Sequence, residues 1–270
     1  MTRSGRGWFG RRTEGGRLRA VGEHAAGGLL DTRDELVVVS WNVHKVLHAG
    51  CERELAELAR DEDVDLFALQ EARPDMTLPP GFGGHHATSY QRVGAPHPEG
   101  VMTASRADVL SAERLRSPSR ELRVLTPKAA LVSRYALRTG ETLTVANVHG
   151  LNFDPRGKLL DDQLTEVARR VEEHEGPMIV TGDFNTWNED RRRAADSLAA
   201  RLGLVEVAPP EAGGTTASNY PAPVERALGL DPELHLDRMF VRGLRPVRAA
   251  WIEECVASDH VPLLARLEWA

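Results

Sequence analysis

Continuous apolar runs flank a segment of helical periodicity near the start of the chain. Residues 36–41 (LVVVSW) and 64–72 (VDLFALQEA) are short, apolar and rich in β-branched side chains, which predicts strands buried on both faces. Residues 51–63 lie between them and repeat their apolar side chains at helical spacing. The pattern predicts a strand–helix–strand unit with polar residues at both strand ends.

The middle of the chain changes to short segments in which apolar and polar side chains alternate. Such segments in close succession between residues 100 and 150 are typical of antiparallel strands. Residues 73–99 precede them and are rich in Pro, Gly and His, which predicts a loop with room for one short strand. The alternating segments are GVMTASR, DVLSAERL, ELRVL, KAALVSRYAL and TLTVANVHG.

Two helices are predicted in the second half of the chain. Asp154 and Pro155 predict the start of the first helix, with Asp as the N-cap and Pro at the first helical position. A second helix is expected over about residues 189–202, where Gly203 stops it. The predicted buried stripe of the first helix consists of Leu160, Leu164, Val167, Ala168 and Val171.

The remaining segments of the second half predict strands around one long loop. Residues 176–185 (GPMIVTGDFN) form an apolar run that ends in a polar turn, which predicts a buried strand. Residues 234–241, 246–254 and 261–269 predict three further strands. Residues 208–233 form an irregular loop, and long loops inside compact domains are often functional.

A strand–helix–strand unit followed by a meander occurs in both halves of the chain. The sequence therefore predicts an α/β fold: a four-layer α/β sandwich of two packed, mainly antiparallel β-sheets flanked by helices. Residues 35–270 contain no linker and are expected to form one domain. Residues 1–34 are rich in Gly and Arg and predict a flexible arm, for which a solvated tail is favoured over a nucleic-acid contact.

Composition narrows the class of protein further. The chain has 270 residues, of which 41% are hydrophobic. Its net charge of −6 argues against a broad nucleic-acid-binding surface but allows a local basic groove. Cys51 and Cys255 match no zinc-binding spacing and indicate two idle thiols in a reducing compartment. No apolar run is long enough for a signal peptide or a membrane span, so we expect a soluble, cytoplasmic protein with no membrane partner.

Four acidic residues stand at or near the ends of predicted apolar strands. Each alone has an ordinary structural explanation as a cap, a turn residue or a surface ion pair. Burial of several unpaired carboxylates is costly, however, so the set together indicates a site that binds a cation. Oxygen ligands of this kind suit Mg²⁺ or Mn²⁺ better than zinc. The acids are Glu71, Asp183, Asp237 and Asp259, accompanied by Asn42, His149, Asn185 and His260.

Six short motifs occur in an order that resembles the endonuclease/exonuclease/phosphatase superfamily, which has the deoxyribonuclease I-like fold. The resemblance covers about residues 36–268, and the sequence looks more like the uncharacterised bacterial members than like the abasic-site endonucleases. It implies a phosphoester substrate and a hydrolytic reaction, while the motifs carry little information about the particular substrate. The motifs are WN (41–42), QE (70–71), NVHGLN (147–152), GDFN (182–185), LDRMF (236–240) and SDH (258–260).

The resemblance implies roles for two groups of residues. On the metal and water side, Asn42 and Glu71 would hold the divalent ion, with Asp259 as a further ligand or near neighbour. Asp183 would orient or deprotonate the attacking water, and Asn185 would help to fix that water and the phosphate. These groups supply a nucleophile and charge neutralisation, which phosphodiester cleavage requires.

On the phosphate side, the resemblance implies that Asp237 pairs with His260. The imidazole would then face the scissile phosphate and stabilise its developing charge. His149 and Asn152 would bind phosphate oxygens, and Lys128 would add a positive contact.

One position departs from many nucleases of the superfamily, which carry an acid two residues after the metal-site Asn. His44 stands there instead, so a second metal position is in doubt. A Mg²⁺-dependent nuclease acting on DNA or RNA is the leading hypothesis. A phosphatase or phosphodiesterase of a lipid or sugar phosphate is the alternative, and a non-catalytic binding module is a third. A serine hydrolase is disfavoured, because Ser258, Asp259 and His260 are adjacent and the chain has no G-x-S-x-G elbow.

Overall fold

A computed structural model describes most of the chain. The predicted strand at residues 121–125 and most of the predicted loop at residues 208–233 lie outside the described residues. So do residues 1–17 and 23–27 of the predicted arm. The described residues are 18–22, 28–46, 48, 50–90, 97–117, 128–152, 154–210, 213–215, 231 and 234–270.

These residues form thirteen strands, three α-helices and one 3₁₀ turn, His44–Val46. No helix in the described part of the chain has the length and apolar character that crossing a membrane requires. The helices are α1 (Cys51–Asp61), α2 (Lys158–Val171) and α3 (Glu189–Leu202). The strands are β1 (Leu18–Gly22), β2 (Glu35–Asn42), β3 (Leu66–Ala72), β4 (Gly83–Tyr90), β5 (Glu99–Ser105), β6 (Val109–Arg116), β7 (Ala129–Ala136), β8 (Thr142–His149), β9 (Met178–Asp183), β10 (Val205–Glu206), β11 (Asp237–Arg242), β12 (Leu244–Trp251) and β13 (Leu263–Trp269).

The strands form two sheets that share a pattern of connections. The seven-stranded sheet has the order β1-β4-β5-β3-β2-β13-β12, and the six-stranded sheet has the order β10-β11-β9-β8-β7-β6. Two pairs are parallel, β2 with β3 and β8 with β9, and the other described pairs are antiparallel. Helices α1 and α2 make the crossovers that a parallel pair requires.

Alternation along the strands packs the two sheets face to face. On β2, Leu36 and Val38 join the core between the sheets, whereas Val37 and Val39 pack with α1 on the outer side. On β9, Ile179 lies in the core between the sheets, and its neighbour Val180 packs against α2 and α3. The layers are therefore helix, sheet, sheet and helix, which confirms the predicted four-layer α/β sandwich.

Both helices of the second half form, but the first begins later than predicted. The start predicted at Pro155 is wrong, because α2 begins at Lys158 after Gly157, whose φ is 67°. The Asp154 carboxylate still accepts a hydrogen bond from the backbone N–H of Leu159, so it serves the helix end from outside the first turn. The predicted stop of α3 is confirmed, since Gly203 adopts a left-handed φ of 62°.

The seven-stranded sheet extends further than the sequence patterns indicated. Residues 73–99 contain the eight-residue strand β4, where a loop with room for one short strand was expected. Strand β1 pairs with β4 and lies within the predicted arm, as does the buried Leu30. For the rest of residues 1–34, the flexible arm stays a prediction.

Candidate active site

The register of three neighbouring strands assembles the centre of the site. Asp183 ends β9 on the same face as Ile179, which points to the opposite sheet. His149 of β8 and Asp237 of β11 are the register partners of Asp183 on either side. Because register partners project to the same face of a sheet, the three side chains stand in one row.

Side-chain amides join this row to the other sheet. Asn42 ends β2, and its Nδ2 donates to Asp183 Oδ2 at 3.0 Å while its Oδ1 accepts from the backbone N–H of His44 at 3.1 Å. One layer deeper, Gln70 Nε2 donates to Asn147 Oδ1 at 2.9 Å. The facing strand ends are thus held by hydrogen bonds instead of apolar packing. The sequence analysis gave no role to Gln70 or Asn147.

Asp183 is suited to accept a proton near neutral pH. Its side chain is buried, and burial raises its pKa to about 6, a shift that the charge of His260 opposes and that of Asp237 reinforces. Its Oδ1 accepts from the backbone N–H of Asn185 at 2.9 Å, and its Oδ2 lies 3.5 Å from His149 Nε2. The two oxygens are therefore fixed in direction by their surroundings.

His260 and Asp237 form the predicted pair. His260 Nδ1 donates to Asp237 Oδ2 at 2.7 Å, and His260 Nε2 lies 3.9 Å from Asp183 Oδ2. Burial alone would lower the pKa of His260, but the carboxylates of Asp237 and Asp183 raise it to about 10. At neutral pH the ring is an imidazolium. Arg238 does not compete for Asp237, because it turns to the opposite face and contacts Glu206 at 2.7 Å.

Several hydrogen bonds position the loop that carries His260. Trp41 Nε1 donates to the His260 carbonyl oxygen at 2.8 Å, and Ser258 Oγ donates to the carbonyl oxygen of Asn42 at 2.6 Å. The buried carboxylate of Glu54 accepts from the backbone N–H groups of the two residues before Ser258. The loop is therefore attached both to the end of β2 and to the first turn of α1.

A bulge directs Glu71 toward the site. Phe67 and Leu69, which precede it on alternate positions of β3, pack on the outer face against α1. The pairing of β3 with β5 shifts register between Leu69 and Ala72, and Glu71 has a left-handed φ of 51°. A register shift of this kind reorients a side chain. The carboxylate of Glu71 thereby leaves the outer face and lies 3.9 Å from His149 Nε2.

Two lysines contact Glu71. Lys45 Nζ lies 3.2 Å from one carboxylate oxygen and Lys128 Nζ lies 3.7 Å from the other. Burial opposes the charge of Glu71, but the ammonium groups of Lys128 and Lys45 more than offset that effect and hold its pKa below its usual range. Glu71 is therefore ionised over the whole physiological pH range.

Lys128 also determines the state of His149. Its ammonium group lies 2.9 Å from His149 Nε2 and can only donate, so that nitrogen is the acceptor. Burial and the charge of Lys128 hold the pKa of His149 well below its usual range. The ring is neutral with its proton on Nδ1, in contrast to the charged His260. The two histidines of the site thus differ in charge.

The oxygen donors fit a magnesium-type site in their chemistry. Among the residues that the structure describes, no group of three or more His, Cys, Asp or Glu side chains has metal-binding geometry. Mg²⁺ does not require one, since it commonly binds one or two carboxylates and keeps several waters. Glu71, which is ionised, and the amide of Asn42 are donors of that kind. Asp259 contacts His44 Nδ1 at 3.2 Å, and its role as a ligand stays a prediction.

Asn185 and Asn152 differ in how they connect to the site. Asn185 has a left-handed φ of 53°, and its Nδ2 donates to the carbonyl oxygen of Gly150 at 3.2 Å. Asn152 is linked through Trp187, whose Nε1 donates to Asn152 Oδ1 at 2.9 Å. The loops after β8 and β9 are therefore joined at several points beside Asp183.

Comparison with known families agrees with this architecture. The model of the Endonuclease/Exonuclease/phosphatase family matches residues 39–260. The chain belongs to this family. Family members hydrolyse phosphoester bonds, as nucleases or as phosphatases.

Relatives and solved structures of the endonuclease/exonuclease/phosphatase family extend over most of the chain. A UPF0294 protein of Vibrio cholerae is 32% identical over 250 residues, which cover 90% of this chain and 82% of the relative. A family protein from Leptotrichia buccalis has a TM-score of 0.66 at 16% identity, covering 87% of this chain and 100% of that one. A mannosyl-6-phosphatase of Bacteroides thetaiotaomicron has a TM-score of 0.64 at 17% identity, with the same coverage.

Besides Gln70 and Asn147, sequence reasoning missed three side chains that contact residues of the candidate site. Lys45 contacts Glu71, and its signal in the sequence is its place just after the polar end of β2. Trp187 and Arg191 contact the loop of Asn152. Their signal is a large aromatic residue and an arginine four positions apart, directly after the GDFN motif.

Proposed function

We propose that this endonuclease/exonuclease/phosphatase family member is a Mg²⁺-dependent phosphodiesterase whose reaction takes place beside Asp183, with Mn²⁺ able to replace Mg²⁺. The observation that carries the proposal is the row His149, Asp183 and Asp237, completed from the other sheet by Asn42. Through its hydrogen bond to Asp237, the imidazolium of His260 lies beside the buried carboxylate of Asp183, whose pKa is about 6. A proton acceptor next to a fixed cation suits water attack on a phosphate.

The side chains divide the work of hydrolysis between them. Asp183 accepts a proton from the attacking water, and Asn185 fixes the position of that water. His260, held by Asp237, donates a hydrogen bond from its Nε2–H to a phosphate oxygen as negative charge develops there. The water oxygen bonds to phosphorus, the P–O bond to the leaving oxygen breaks, and the leaving oxygen takes up a proton from solvent. Asn42 and Glu71, with Asp259 as a further ligand or near neighbour, would hold the divalent ion, which would supply charge neutralisation at the phosphate.

Lys128, His149 and Asn152 complete the phosphate pocket in this proposal. Lys128 contributes a positive charge. Its hydrogen bond to His149 Nε2 leaves the ring with its proton on Nδ1, and this Nδ1–H is the group of His149 that can donate to a phosphate oxygen. Asn152 donates from its amide group to a phosphate oxygen. All three belong to the six-stranded sheet or the loops that follow it, whereas Asn42 and Glu71 belong to the other sheet. The phosphate thus binds between the two sheets.

The substrate that we favour is DNA or RNA, cleaved as by a nuclease. A sugar or lipid phosphate is the alternative. A mannosyl-6-phosphatase of similar fold is an example of a protein named for activity on a sugar phosphate. Because the protein has a net charge of −6, it would contact a long polyanion such as a nucleic acid only through a local groove.

A substrate panel in Mg²⁺ tests the proposal. Labelled single- and double-stranded DNA and RNA are incubated with the protein beside a sugar phosphate and an aryl phosphodiester. Cleavage of a nucleic acid supports the nuclease assignment, and cleavage of the sugar phosphate alone supports the alternative. Absence of hydrolysis across the panel, with and without Mg²⁺ or Mn²⁺, would leave a binding module as the better account.

A further inference from the structure

Arg191 fastens the loop of Asn152 to the loop of Asn185. It lies in the first turn of α3 and its side chain is fully buried. Its Nη1 donates to the carbonyl oxygens of Asn152 at 2.7 Å and of Asp154 at 3.0 Å, and its Nε donates to that of Asn185 at 2.5 Å. Its Nη2 donates to the carbonyl oxygen of Leu151. One guanidinium group therefore sets the relative position of both loops.

Trp187 determines which end of the Asn152 amide faces it. The indole is almost fully buried and packs on the guanidinium of Arg191, with 5.0 Å between the ring centre and the carbon atom Cζ. Its Nε1 lies 2.9 Å from Asn152 Oδ1. An indole N–H can only donate, so the atom it faces must be the amide oxygen and not the NH₂ group. The NH₂ group of Asn152 is then turned away from Trp187.

The orientation of this amide matters for binding a phosphate. Phosphate oxygens accept hydrogen bonds, so an asparagine that presents its NH₂ group attracts them and one that presents its oxygen repels them. The two orientations occupy almost the same volume, and only hydrogen-bond partners distinguish them. A fixed donor on the amide oxygen therefore selects the orientation that can bind phosphate.

We propose that Trp187 and Arg191 are positioning residues that hold the Asn152 amide with its NH₂ group toward the substrate phosphate. Trp187 selects the orientation, and Arg191 holds the backbone and the indole in place. The inference rests on the proposed function, because it takes the phosphate contact of Asn152 from there.

Trp187→Phe is the sharpest variant, since it removes the N–H donor and keeps a ring against Arg191. We expect kcat/KM for the cleaved phosphoester to fall about tenfold, which corresponds to the loss of one hydrogen bond, with Tm nearly unchanged. In an Asn152→Ala background the same change should produce no further loss. Trp269→Phe, at the distant end of β13, is the matched control and should leave kcat/KM unchanged.

Equal loss from Trp187→Phe in the native and Asn152→Ala backgrounds would overturn the proposal, since it would assign Trp187 a purely structural role. An unchanged kcat/KM in Trp187→Phe would overturn it as well. Arg191→Lys supplies a second measurement: if it folds, its loss should also be smaller in the Asn152→Ala background.

A readout independent of turnover separates this proposal from the proposed function. In nuclear magnetic resonance spectra, titration with inorganic phosphate should shift the side-chain NH₂ signals of Asn152 in the native protein and not in Trp187→Phe. Failure of hydrolysis with this shift intact would defeat the proposed function alone. An equal shift in both proteins would defeat the positioning role, whatever the activity.

Discussion

At the scale of single residues, the site combines a carboxylate and an imidazole whose pKa values are both raised. Asp183 has a pKa of about 6 and His260 a pKa of about 10. In the proposed mechanism Asp183 acts deprotonated and His260 acts charged, so kcat/KM should rise through about pH 6 and fall through about pH 10. A pH–rate profile in Mg²⁺ measures both limbs. An acidic limb that survives in a variant retaining slow turnover without Asp183 would contradict the assignment.

The hydrogen-bonded pair of His260 and Asp237 makes the stability of the fold decrease as the pH rises. The folded-state pKa of His260 lies above its ordinary value of 6.5, so its contribution is fully present below pH 6.5 and is lost as the pH rises through about 10. Asp237→Asn removes the main cause of the shift. Thermal unfolding of this variant should therefore show a smaller decline in Tm between pH 7 and pH 10 than the native protein shows. Parallel declines would contradict the pairing.

Lys45 is expected to weaken the affinity of the site for its divalent ion. Its ammonium group lies 3.2 Å from Glu71, so a divalent ion at that carboxylate must compete with a positive charge. Lys45→Met should therefore tighten Mg²⁺ binding, by about tenfold for an interaction of this size in a partly buried site. Isothermal titration calorimetry measures the change, and Lys158→Met, exposed on α2, is the control. Weaker binding in Lys45→Met would contradict this account.

At the scale of secondary-structure elements, the parallel pair of β8 and β9 depends on close approach of the two backbones. Gly182 has a φ of 143°, and a Cβ there would lie 1.9 Å from the carbonyl oxygen of Val148. Gly182→Ala must separate the strands that carry His149 and Asp183. We expect a loss of about 3 kcal/mol or more in the free energy of unfolding, measured with denaturant. Gly140→Ala, whose Cβ would meet nothing within 4 Å, should cost only about 1 kcal/mol.

Elements with a strong apolar periodicity could be predicted from the sequence. The prediction was wrong where the backbone departs from the regular geometry of a strand or a helix. Strands β2 and β9 and helix α3 were predicted close to their observed bounds, because their apolar patterns are uninterrupted. The bulge that turns Glu71 inward has no periodic signal, since strict alternation would place that side chain against α1. The start of α2 was missed because a positive φ at Gly157 replaces the expected Asp–Pro cap.

At the scale of the whole molecule, the site exists only when two sheets and both ends of the domain come together. Trp41 and His260 are 219 positions apart and joined by a hydrogen bond, and Asn42 reaches across to Asp183 in the other sheet. The order of the six motifs predicted the family, which the family match confirms, while the roles of the individual residues stay predictions. Distances, amide orientation and the contacts of Lys45 and Arg191 could not be predicted, because they depend on packing between distant segments.

Substituting Asp183 tests the central claim most directly, because its two oxygens lie where strands from both sheets meet. Asp183→Asn preserves the shape of the side chain and removes the proton acceptor. The account predicts a fall in kcat of about a thousandfold on whichever phosphoester the native protein cleaves, with the variant still folded by its thermal unfolding curve. Near-native turnover by a folded Asp183→Asn variant would contradict it.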